Sequence, residues 1–76
     1  MSPECEAFKD WVNDAMASVI FYDFELGMTL VNDVMEIASN GEGMESLEAI
    51  HKRVLNALQL VRMGHEARLA DLQKNN

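Results

Sequence analysis

An all-α fold is predicted by three observations. Apolar residues recur at helical spacing through nearly the whole chain, helix start and stop signals bracket two long segments, and the helix-breaking residues gather at one place, Ser39-Asn40-Gly41-Glu42-Gly43. Asn and Gly tolerate the left-handed backbone that ends a helix, so the chain is expected to fold back there. The expected architecture is an antiparallel helical hairpin forming a single domain over residues 1–76. Its elements are a helix over 3–38, a turn over 39–43, a helix over 45–73 and a frayed tail over 74–76.

The first helix is expected to start at Pro3. Ser2 supplies a hydroxyl cap, proline suits the first helical position, and Glu4 and Glu6 face the positive helix end. At 100° per residue, Phe8, Trp11, Val12, Ala15, Met16, Val19, Tyr22, Leu26, Leu30, Val34 and Ile37 fall in one arc. Ile20, Phe24, Val31, Met35 and Ala38 widen that arc beyond half the circumference. Gly27 lies inside it and costs about 1 kcal/mol relative to Ala, which makes it the expected place of a kink or break. The arc runs through without a phase jump, so continuity is favoured. The aromatic run Phe21-Tyr22-Asp23-Phe24 offers the alternative of a short connection and three helices.

Asp23 falls in the middle of the apolar arc, where an unpaired carboxylate is expensive to bury. Folding back about residues 41 and 42 brings it opposite Arg62, its expected counter-ion.

The second helix shows a narrower stripe, Leu47, Ile50, Val54, Ala57, Leu58, Val61, Leu69 and Leu72, with Gly64 as its internal weak point. His65 near the centre of this stripe and His51 at its edge read as hydrogen-bonded core residues. Lys74-Asn75-Asn76 places a cation and termination-prone residues at the end.

Small size and unequal arcs together predict assembly. A chain of 76 residues buries only about 60% of its unfolded surface, and its one cysteine, Cys5, excludes an internal disulfide. A narrow stripe on the second helix cannot cover the wide arc of the first. The expectation is a homodimeric four-helix bundle with Ile20, Phe24, Val31 and Met35 at the interface.

Charge directs the functional reading. The net charge of −7 is concentrated in residues 1–43, which hold nine acids against Lys9 alone, whereas residues 44–76 are nearly neutral. Such a surface repels phosphate backbones and anionic lipid, which argues against direct nucleic-acid or membrane binding. No apolar run approaches the ~20 residues of a membrane span, and no signal-peptide pattern opens the chain, so cytoplasmic residence with a reduced Cys5 is expected. The back of the first helix carries Asp10, Asp14, Ser18, Glu25, Asn32 and Glu36 without a cation. Asp10, Asp14, Glu25 and Glu36 are the expected docking face for a basic partner, and the exposed part of the first helix's apolar arc equally suits a regulator's hydrophobic dimerisation surface.

Phosphate loops and dinucleotide glycine patterns do not occur, and no nucleophile, base and orienting group can be assembled, so a non-enzymatic protein without a cofactor is expected. The residues point to a small interaction protein that inhibits or adapts a basic or nucleic-acid-binding protein, as a phage-type anti-defence or regulatory inhibitor does. One alternative is a purely structural assembly subunit. The other is a metal-binding four-helix bundle, since Glu48 and His51 form a Glu-x-x-His pair to which Glu36 could add a carboxylate from the first helix.

Overall fold

In a computed structural model, which describes residues 3–41 and 43–74, the chain is helical and without strands among the described residues. Its helices are α1 (Pro3–Tyr22), α2 (Phe24–Ser39) and α3 (Met44–Lys74). The favoured continuous helix over 3–38 is therefore replaced by two, and the interruption falls at Asp23, within the Phe21-Tyr22-Asp23-Phe24 connection of the three-helix alternative and not at Gly27. The Ser2 cap and the Asn75-Asn76 end of the tail lie outside the described residues, while Lys74 belongs to α3.

Asp23 makes the break by serving both helices at once. Its N–H still donates to the Val19 carbonyl at 2.8 Å, closing α1. Its backbone then turns extended, with φ −148° and ψ 108°, and its carboxylate accepts from the Leu26 N–H at 3.2 Å. Asp is among the strongest N-cap residues because its oxygen satisfies a donor that the first helical turn leaves over, and Glu25 adds a second acid at the positive helix end. The carboxylate in the middle of the apolar arc is thus an exposed cap. Arg62, its expected counter-ion, instead pairs with Glu66 one turn along α3, Nε to Oε1 3.2 Å. Asp23→Ala is expected to cost about 1 kcal/mol. Amide exchange should accelerate first at the start of α2, and a uniform acceleration over all three helices would contradict the capping role.

The second connection follows the expected chemistry. Asn40 donates to the Ile37 carbonyl at 3.2 Å, and Gly41 takes a positive φ of 151°, a conformation that favours glycine. The Gly43 carbonyl then accepts from Ser46 and Leu47, starting α3.

Cross-helix contacts set the directions. Trp11 and Phe8 near the start of α1 meet His51 near the start of α3, while Tyr22 at the end of α1 lies against Gly64 and beneath Arg68. The first and third helices therefore run parallel. Between them α2 runs antiparallel, touching α1 where Gly27 meets Ile20 and reaching α3 through Asp33 and Arg53, 3.9 Å apart. The shared core comprises Val12, Ala15 and Val19 of α1, Leu30 and Val34 of α2, and Ile50, Val54 and Ala57 of α3. Alanines, β-branched side chains and one leucine, Leu30, fill it, which lets three helices approach closely.

The lengths do not match. At 1.5 Å per residue α3 spans about 46 Å and α1 about 30 Å, within a molecule 52 Å long. Since Tyr22 is level with Gly64 and Arg68, the end of α3 overhangs the α1–α2 turn, and every side chain from His65 to Lys74 is exposed. Both histidines are solvent-exposed, contrary to the expected core placement: His65 lies at the level where α1 ends, with Tyr22 against its neighbour Gly64, and His51 sits at the rim of the packing beside Trp11.

Candidate protein-interaction face

The surface of greatest chemical interest lies between α1 and α2, on the side away from α3. The two helices touch at Ile20 and Gly27, where a glycine lets the backbones approach, and towards the other end they part to leave a groove of about 520 Å³. Met16 and Val12, with the polar Lys9 and Asn13 beside them, form one wall, Met35, Val34 and Ala38 the other, and Leu47 and Ile50 of α3 the floor.

The apolar lining continues beyond the groove along α2. Phe24, Met28, Val31 and Met35 recur at spacings of four, three and four residues and so share one stripe. Phe24 is 67% exposed and Met35 64%, while Val31 is half-buried. Ile20 of α1 flanks the same stripe and is half-buried. The four residues expected at a dimer interface therefore do share one face, although only two of them are freely accessible. Met16 and Met28 complete it, and the sequence already contained the signal: both fall at helical spacing with the four. Methionine side chains are flexible and polarisable, suited to adapting to different apolar partners.

Acids stand on both sides of this face. Asp10 and Asp14 occupy the outer flank of α1, roughly 100–160° round the helix from the groove-lining Met16 and Lys9. Glu25 and Glu36 hold the corresponding outer flank of α2, about as far round from Val31 and Ala38. All four are exposed. The ion pairs Arg53–Asp33 and Arg62–Glu66 engage other acids. The expected single acidic strip thus becomes two rims, because reversal of the chain at Asp23 carries Glu25 and Glu36 onto a different helix from Asp10 and Asp14.

The metal-binding alternative finds a different environment. Glu48 and His51 line a shallow depression with Glu4 and Cys5 at the other end of α3, and Glu36 is not part of it. Among the described residues no group of three or more His, Cys, Asp or Glu side chains is placed to hold a metal ion. The His51 ring lies 5.3 Å from the Trp11 ring and 6.4 Å from Phe8, a tilted aromatic arrangement that occupies the imidazole in packing.

The class that these features define is an all-helical protein carrying a methionine-rich apolar face between acidic rims. No protein-family model matches the chain, and no match was found among curated proteins or solved structures. Among the described residues no helix is long and apolar enough to cross a membrane.

Proposed function

We propose that the protein is a non-catalytic interaction module whose α1–α2 face takes up a basic amphipathic helix of a partner protein, inhibiting or adapting that partner. The observation that carries this reading is the coincidence of an accessible apolar groove with acids on each flank. A helix presenting apolar residues at i, i+3, i+4 and i+7 would lay them against Met16, Val31 and Met35. Lysines and arginines beside that stripe would meet Asp10 and Asp14 on one side and Glu25 and Glu36 on the other. Partners with such helices are common among proteins that bind nucleic acid through basic surfaces. Covering that helix would block its docking, as a phage-type anti-defence or regulatory inhibitor would.

A direct test uses two synthetic amphipathic helices with the same leucine spacing, one carrying lysines and the other glutamates. Titration monitored by methionine methyl resonances should show saturable binding of the lysine peptide and none of the glutamate peptide. Neutralising one rim with Asp10→Asn and Asp14→Asn, or the other with Glu25→Gln and Glu36→Gln, should each weaken binding about tenfold, near 1.4 kcal/mol. Equal affinity for both peptides, or resonance shifts confined to α3, would reject the reading.

A further inference from the structure

The sulfur of methionine gives the α1–α2 face a chemistry that its other apolar residues lack. Three methionines contribute to that face, and the packing treats them differently. Met16 of α1 is half-buried and packs against the core. Met28 of α2 is 38% exposed and lies outside the groove lining. Met35 is 64% exposed, forms part of the groove wall, and belongs neither to the core nor to the residues packed on it. At Met35, therefore, a side chain that a docking helix would cover can be altered without touching what holds the three helices together.

A solvent-exposed thioether is open to two-electron oxidation. When a hydroperoxide meets Met35, the sulfur lone pair attacks one peroxide oxygen, and the S–O bond forms as the O–O bond breaks. The proton on the attacked oxygen passes through solvent to the departing oxygen. Sulfur is oxidised by two electrons, and the peroxide is reduced to water or an alcohol. The product is a polar sulfoxide whose oxygen accepts hydrogen bonds. Set in an apolar wall, that oxygen would be stripped of water by an incoming apolar stripe that offers it no donor, which opposes docking.

We propose that Met35 is a redox-sensitive switch on the α1–α2 face: oxidation of its thioether by a hydroperoxide closes the groove to its partner and leaves the helices folded. A thiol-dependent sulfoxide reductase reverses the step, oxidising two thiols to a disulfide and releasing the oxygen as water. The inference rests on the groove being the partner site. Met44, 71% exposed, and Met63, 56% exposed, lie on α3 outside the groove, so their oxidation carries no such consequence.

Graded treatment with hydrogen peroxide, at doses that peptide mass mapping shows to leave Met16 intact, tests the switch by titration with the lysine peptide. Affinity should fall about tenfold as the Met35 sulfoxide accumulates, the scale of one lost methionine contact, with helical circular dichroism retained. Sulfoxide reductase with a dithiol should restore it. Met35→Leu, compared with its own untreated form, should show a treated-to-untreated affinity ratio near one even though its α3 methionines are oxidised. The Met44→Leu, Met63→Leu double variant should stay as sensitive as the unaltered protein. Undiminished affinity with Met35 fully oxidised would overturn the switch alone, as would a loss that persists in Met35→Leu or one accompanied by unfolding. Failure of the untreated protein to bind the peptide would reject the groove reading and the switch with it.

Discussion

Gly27→Ala is expected to lower the thermal midpoint by about 10 °C, whereas Gly64→Ala should leave it nearly unchanged. Helix propensity alone predicts that both substitutions stabilise by up to ~1 kcal/mol, since each glycine lies inside a helix. The surroundings separate them. A methyl on Gly27 would lie 2.5 Å from the Ile20 Cα and 2.7 Å from its N, and backbone in the last turn of α1 cannot move aside without parting the two helices. Overpacking of this kind costs about 1–3 kcal/mol, and 1 kcal/mol shifts the midpoint of a small domain by roughly 4–8 °C. At Gly64 the nearest atom is the Tyr22 hydroxyl at 2.5 Å, the far end of a side chain that can swing towards solvent, so the methyl's cost and its propensity gain should nearly cancel. Thermal melts of the two variants side by side decide the matter. Equal shifts would mean that the α1–α2 approach at Ile20 does not hold the fold together.

The second large effect is expected at Val54. Val19 and Val54 are the two fully buried side chains of the core, each at 0% exposure. Truncating Val54 to alanine removes two methyl groups and leaves a cavity that three packed helices cannot readily close, costing about 2 kcal/mol. A domain of this size has only about 4–11 kcal/mol in total, so the loss is a large share of it. The neighbouring Leu55, 45% exposed, provides the internal control, and Leu55→Ala should cost less than 1 kcal/mol, roughly, by the usual limit for solvent-facing sites. Urea titrations with unchanged slopes would report these as stability differences. A Leu55→Ala loss equal to that of Val54→Ala would place the core on the wrong side of α3.

The position of the chain break shows where local signals compete. Gly27 carries the larger intrinsic penalty within the first segment, yet it is helical, because its missing side chain is what lets α1 and α2 meet. Asp23 holds the break because a carboxylate that caps a helix is better satisfied there than buried in an apolar arc. An Asp followed two residues later by Glu is a recognisable helix start. A long apolar arc running through both residues masked it.

That arc also explains the changed packing. As one continuous helix, the first segment has an apolar surface too wide for α3 to cover. Once broken and folded back, its two halves cover each other and α3 together, and exposed apolar residues remain on the α1–α2 face and along α3, Leu55, Leu60, Met63, Leu69 and Leu72 among them. The site residues Asp10, Asp14, Glu25 and Glu36 were legible as exposed acids. Their arrangement as two rims was not, since it depends on which helix each pair occupies after the reversal.

Read alone, the chain determines that it is helical, that it turns at Asn40-Gly41, that its acids crowd into the first forty-three residues, and which residues line each helix face. These follow from periodicity, capping chemistry and charge, which act over a few residues. Only the tertiary structure decides that Gly27 is a contact, that Asp23 is a cap, that His65 is uncovered, and that methionines and acids from two helices form one face. Each of these depends on which surfaces meet after the chain reverses, and a pattern local to one helix carries no record of its neighbours.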